Sequence, residues 1–280
     1  SEYRPLKLKG LSERDDLNRK SIVDLENDEE HQDDLAAFQN ATIRTIVIRN
    51  WKSEAYLWEV FLRINTGSVQ LSPQELRQAL HPGKFSDFVD NASSESEGLK
   101  AALNIKEPDF RMRDAEILLR YLAYKNFAKD YTGNLKQFLD STTKYFNQHW
   151  DSSHLSIENQ VAQMEKAFTF TENVFGRESY LRKWNGDVFE PRKNRAIFDI
   201  MLHYFSDANI RDSLKGKENE IVLAFKKLCS ENSFFFASIE RTTKTNEANH
   251  FRFNLWAREL SKISSTSVPE IDFGASGAHY

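Results

Sequence analysis

The chain has 280 residues, 38 basic and 42 acidic side chains and a formal charge of −4, which suits one large domain or two smaller ones. That balance excludes a generally basic nucleic-acid coat but leaves room for a local basic face, because partners feel patches rather than totals. No apolar run approaches the roughly 20 residues that span a bilayer, nothing at the N-terminus resembles a signal peptide, and a single cysteine rules out an internal disulfide framework or a thiolate metal cluster. The chain reads as cytoplasmic.

Leu6 and Leu8 alternate with lysines, as in a short strand, and Leu17 to Leu25 predicts a brief helical turn. Glu26 to Asp34 is strongly acidic and reads as a solvated turn or helix start. Thr42 to Ile48 is rich in β-branched residues and is the best strand in the chain. A strand there needs sheet partners, and few are visible downstream. Residues 1–53 therefore read as a remnant of an upstream α/β unit.

Beyond residue 54 the pattern is helical, with helices predicted near 54–65, 73–80, 84–91, 113–129, 134–148, 156–175, 193–206, 217–230 and 247–263. The fold class is mainly α, a multi-helix body over 54–263 with a small α/β remnant at the N-terminus. Twenty-one phenylalanines favour a bulky helical core. Segment 113–129 is apolar on most sides and belongs at the centre. Ser93 to Gly98 reads as a loop, Trp184-Asn185-Gly186-Asp187 as a turn, and the unpatterned stretch 264–280 as a disordered tail.

Chemical motifs are sparse. The seven histidines form no metal-binding spacing, so no metal site is assigned. The ten glycines form no phosphate-binding loop, so no cofactor is assigned to this chain. Cys229, in an apolar helical stretch, reads as a buried thiol. Asp114, Glu116 and Arg120 start the central helix, with Glu116 and Arg120 spaced for an i,i+4 pair. They form either a buried ion network or, with Arg111, a cleft wall, since the arginine fork binds carboxylate and phosphate alike. The most basic stretch holds Arg177, Arg182, Lys183, Arg192, Lys193 and Arg195, with Tyr180 and Trp184 interleaved. It suits either a nucleic-acid backbone or a solvated face. Arg241, Lys244, His250, Arg252 and Arg258 are a second, sparser basic set.

The most distinctive segment is Phe61-Leu62-Arg63-Ile64-Asn65-Thr66-Gly67, a polar bend followed by Leu71-Ser72-Pro73-Gln74-Glu75-Leu76-Arg77. Ser72 suits the N-cap, Pro73 the first helical position, and Glu75 completes a capping box. On the new helix Leu76, Ala79 and Leu80 share one face, and Gln74, Arg77 and Gln78 the other.

This segment resembles the hallmark F-x-R-I-N-T-G … L-S-P-Q-E-L-R of the GmrSD-type restriction-endonuclease N-terminal domain family. Further similarities follow the family's order. They are Leu6 to Leu11 with Leu17-Asn18-Arg19-Lys20 and Asp24-Leu25, then Thr42 to Ile48. Next come Asp109, Arg111, Asp114, Glu116 and Arg120 in a D-x-R-x-x-D-x-E-x-x-x-R pattern, and Arg192, Asn194, Ala196, Phe198 and Asp199 in R-x-N-x-A-x-F-D. The family's D-G-Q-Q-R and F-Q-R-x-Y-x-W segments, which carry its nucleotide chemistry upstream, do not occur here. Leu62 stands where the family pattern has an acidic residue.

The resemblance implies the helical part of a prokaryotic anti-phage protein, partnered by an upstream α/β (ParB/sulfiredoxin-like) domain or subunit. A nucleoside triphosphate would bind in the complete assembly. Arg63, Asn65, Gln74, Arg77, Arg111 and Arg120 would face the nucleotide cleft, and Arg182, Lys183, Arg192 and Arg195 would face nucleic acid. DNA and a nuclease domain are the further partners implied, and no membrane. No HNH signature is present, so cleavage is not assigned to this chain. The alternative is a non-catalytic interaction module that binds an upstream partner fragment.

Overall fold

The computed structural model describes residues 5–45, 47–50, 53, 56, 59–60, 63, 71–241 and 243–273. By internal contacts the chain divides into Ser1–Gly67 and Ser68–Tyr280, where the sequence placed a boundary after residue 53.

In the first unit a 3-10 turn, Asp15–Leu17, precedes α1 (Ile22–Glu26) and α2 (Gln32–Gln39). Ser21 starts α1 through a reciprocal capping box with Asp24, which satisfies two otherwise orphaned amides. Leu17, Leu25 and Leu35 form a small core with Leu8 and Leu11 against it. The acidic stretch does begin a helix, and it carries a buried His31.

The two expected strands are not formed among the described residues. Lys7 makes one isolated bridge to Ser21, and Leu6 is exposed. Within Thr42 to Ile48 the described residues are irregular, with Ile43 and Val47 exposed. β-Branched composition reports a fit to a pleated, half-buried surface. Without a neighbouring strand to pair the backbone amides, that composition alone does not make a strand.

The second unit contains α3 (Pro73–Leu80), α4 (Lys84–Glu95), α5 (Glu97–Leu103), α6 (Arg113–Phe127), α7 (Leu135–Gln148) and α8 (Trp150–Phe175). A hairpin of β1 (Arg182–Trp184) and β2 (Phe189–Lys193) follows. The chain continues through α9 (Arg195–Phe205), α10 (Ala208–Leu214), α11 (Glu218–Glu231), α12 (Ser233–Glu240) and α13 (Asn246–Ile263). The fold is mainly α, and the hairpin is the one sheet among the described residues.

α6 is the centre because it is apolar nearly all round: every residue from Ile117 to Tyr124 is buried. α3, α4, α5, α7, α8 and α9 pack on it. Tyr124 meets Tyr131, Phe138 and Phe253 at ring separations of 5.7, 5.3 and 5.2 Å, the offset and tilted range that aromatic quadrupoles prefer. A second focus is α13, whose Phe253, Trp256, Ala257 and Leu260 are fully buried against α9, α11 and α12.

Two further expectations need correction. Ser93 to Gly98 is not a loop: Ser96 ends α4 and caps α5, its hydroxyl accepting from the Leu99 amide at 3.0 Å. One small polar residue thus breaks and restarts the helix. Residues 264–273 of the expected disordered tail are packed. Asn254 clamps the backbone of Ile271 at 3.0 and 2.8 Å, Arg258 pairs with Glu270, and Val268 and Phe273 are buried. Side-chain amides replace the periodicity that the sequence lacks. α5, α10 and α12 were not expected, and residues 274–280 lie outside the described residues. No described helix is long and apolar enough to cross a membrane.

Candidate functional site

The predicted site residues separate into an N-terminal bend, a polar seam along α3 and α6, and a basic hairpin. Of the bend, Arg63 is helical and mostly exposed, with an ion pair to Glu59 one turn earlier at 2.6 Å. Asn65 and most of the predicted helix 54–65 lie outside the described residues.

The capping box of α3 forms as its sequence requires, with Ser72 and Glu75 exchanging hydrogen bonds. Burial on that helix does not follow the two faces read from sequence: Leu76 is buried, and so are Gln74 and Arg77 from the opposite face. Gln74 and Arg77 point inward at 2% exposure each, whereas Ala79 is exposed. Arg77 donates to Asp140 on α7 at 2.7 Å and to the amide oxygen of Gln74. A buried guanidinium demands such partners, and two polar groups found each other inside. The void beside them has a volume of about 10 Å³, far too small for a nucleotide, so neither side chain faces a cleft within the described residues.

Ser72 also donates to the Arg111 carbonyl at 3.0 Å, and the Arg111 guanidinium lies 3.5 Å from Glu75. Asp109 organises the start of α6 by accepting from the amides of Arg111 and Arg113. The i,i+4 pair expected between Glu116 and Arg120 is replaced by two long-range pairs. Glu116 takes Arg195 at 2.9 Å, and Arg120 takes Asp199 on α9 through two hydrogen bonds at 3.0 and 2.5 Å.

Asp199 also accepts from Arg252 of α13 at 3.0 Å. Arg252 is fully buried; its Nη1 donates to the Thr243 carbonyl and its Nη2 also to Asn249, while its Nε has no hydrogen-bond partner. One carboxylate thus holds two guanidinium groups at the junction of α6, α9 and α13. Arg252, assigned to a second basic surface by sequence, is the inner member of this knot. Nothing local marks it, because its partner lies 53 residues away. Asn194 of the same R-x-N-x-A-x-F-D segment caps α9 and donates to the Ile239 carbonyl at 2.7 Å.

In the hairpin, Arg182 and Lys193 are cross-strand partners around a turn in which Asn185 accepts from the amides of Asp187 and Val188. Lys183 is buried between Glu190 and Glu240, at 2.8 and 3.0 Å. Arg195 is half-exposed but paired to Glu116. Of the four residues expected to face nucleic acid, Arg192 is exposed and Arg182 partly exposed, and neither makes an ion pair among the described residues. Lys193, which the basic stretch contained but the site prediction did not, sits 3.7 Å above the Tyr180 ring.

Two histidine–carboxylate groups were not expected: Asp16, His31 and Asp34, and Asp28, Glu30 and His31, each with potential ligand atoms within 4.8 Å of one another. Arg14 already bridges Asp16 and Asp34 at 2.8 and 2.6 Å, and Lys20 holds Asp28. A divalent ion would have to displace these cations, so the cluster serves as a salt-bridge network around His31. A concavity of about 390 Å³ is lined by Phe127, Asp130, Gln137, Ser141 and Tyr145 among others. It includes none of the predicted site residues. Compared with protein-family models, with curated proteins and with solved structures, the chain matches none.

Proposed function

We propose that this chain is the helical portion of a prokaryotic, GmrSD-like restriction-type protein. In that role it completes a nucleotide-dependent site on an α/β partner and relays the state of that site to DNA or to a nuclease module. The observation that supports this reading best is that segments bearing the resemblance, far apart in sequence, meet in space. Glu116 and Arg120 of one segment bind Arg195 and Asp199 of the other, 79 residues on in each case. Ser72 and Glu75 of the L-S-P-Q-E-L-R segment likewise engage Arg111. Glu116, Arg120 and Asp199 are named positions of the two patterns, whereas Arg195 fills an open position between Asn194 and Ala196.

Roles within the assembly follow from exposure. Gln74, Arg77 and Arg120 act as internal braces, while Arg63, exposed and paired with Glu59 in the first unit, is the position tested for a role towards a nucleotide-bearing partner. The test is reconstitution with an α/β partner carrying D-G-Q-Q-R. Arg63→Ala is expected to leave the fold intact and to abolish nucleotide-dependent behaviour of the complex. Undiminished nucleotide hydrolysis and DNA response in that variant would remove Arg63 from the site.

A non-catalytic interaction module is the second reading. It is favoured by the internal pairing of Arg77, Arg120, Lys183 and Arg195, which commits those side chains to structure. Tight co-purification with the partner fragment, without DNA binding at low salt, would select it.

A further inference from the structure

The base of the hairpin gathers cations that the ion pairs described above leave out. Arg182 and Lys193 face each other across the strands, and Arg177 lies just before them in the turn that follows α8. Among the described residues Arg177, Arg182 and Lys193 form no ion pair. The Arg182 Nε is buried without a hydrogen-bond partner. The Lys193 ammonium is anchored from below, 3.7 Å over the Tyr180 ring and 3.3 Å from the Ala101 carbonyl. Those contacts position the head group without an ion pair.

Electrostatics agree with the geometry. Burial, then Arg182, push the Lys193 ammonium down to about 8, with Arg177 adding to the shift and Glu172 and Glu178 opposing it. Repulsion among three cations outweighs those two carboxylates, so the corner is short of negative charge. The outer nitrogens of a planar guanidinium beside a fixed ammonium are an arrangement suited to the oxygens of a phosphate group.

We propose that Arg177, Arg182 and Lys193 form an anion site that takes a phosphate group. Resting on the reading that this chain contacts DNA, the phosphate is one of a nucleic-acid backbone. Lys183 and Arg195, which sequence grouped with this patch, are outside the site because Glu190, Glu240 and Glu116 already hold them. Trp184 is likewise occupied, by Lys226 at 3.9 Å from its ring. The corner therefore grips a backbone and does not read bases.

The test uses the whole chain with pyrophosphate as the probe. Lys193 is expected to be acylated by a limiting amine reagent near pH 8, and pyrophosphate is expected to protect it, as read by peptide mass spectrometry. Arg182→Gln should abolish the protection, as should Arg177→Gln at an exposed position, whereas Arg195→Gln should not. Absence of protection in the wild-type chain, or protection unchanged in both site variants, overturns the anion site.

Single- and double-stranded oligonucleotides form the second arm. Protection of Lys193 by either, with a salt slope reduced by about 1 in Arg182→Gln, supports the backbone assignment. Oligonucleotide binding that leaves Lys193 unprotected overturns the corner's role while the DNA reading stands. Pyrophosphate protection without oligonucleotide binding supports the anion site and removes the DNA reading alone.

Discussion

Arg120 on α6 holds Asp199 on α9 through two parallel hydrogen bonds, Nε to Oδ1 at 3.0 Å and Nη2 to Oδ2 at 2.5 Å. The pair is buried on both sides, and Arg252 closes it from α13. A bidentate fork fixes both the distance and the rotation of the two helices. Desolvating three charges is costly, so the knot specifies packing more than it adds stability.

Asp199→Ala is therefore expected to cost about 3–5 kcal/mol, because it leaves two buried guanidinium groups facing each other without a counter-ion. Urea unfolding followed by circular dichroism measures it. A loss below 1 kcal/mol would show that the two arginines reach water or other acceptors in the variant.

Arg63→Ala should behave oppositely in stability. Its pair with Glu59 is an exposed i,i+4 contact, and such contacts are worth about 0.3–0.5 kcal/mol. The midpoint of thermal unfolding should stay within a degree or two of wild type, so any functional loss is not a folding defect.

His203 gives a pH dependence. Burial, then the neighbouring Lys125, depress its imidazole from the ordinary 6.5 to about 3, and its Nδ1 is buried without a hydrogen-bond partner. The folded state keeps the ring neutral while the unfolded chain protonates it below pH 6.5. Stability is thus fully present above 6.5 and declines as pH falls from there toward 3, by on the order of 1 kcal/mol per unit. Acidic carboxylates add their own loss in part of this window. The measurement is consequently the difference between wild type and His203→Gln from pH 7 to 4, which should narrow as pH falls.

Cys229 should resist a thiol reagent at pH 8. Burial raises its thiol to about 12, so the thiolate that would react is scarce. Native protein treated with Ellman's reagent should release almost no chromophore until denaturant is added. Rapid native labelling would contradict the packing of α11 against α8, α12, α13 and the hairpin.

Much of the helical body was legible from residues alone. Ser72, Pro73 and Glu75 wrote the start of α3, the run from Ile117 to Tyr124 placed α6 at the centre, and Trp184-Asn185-Gly186-Asp187 marked a turn, though not the two strands that it joins. These signals are local: capping and a 3.6-residue period act within a few residues of one another. Partner choice was not legible. Arg120 chose Asp199 over Glu116, and Arg77 chose Asp140 63 residues away. The stretch after Ser264 found order through Asn254 and Arg258. Thr42 to Ile48 has strand composition without a strand among its described residues. In each case the deciding partner is remote in the chain, and only packing brings it within hydrogen-bond distance or withholds it. The sequence by itself determined the capped start of α3 and the run of residues that places α6 at the centre. The tertiary structure decided which charges are buried and paired and which, at Arg177, Arg182 and Lys193, have no ion pair among the described residues, because pairing depends on groups remote in the chain.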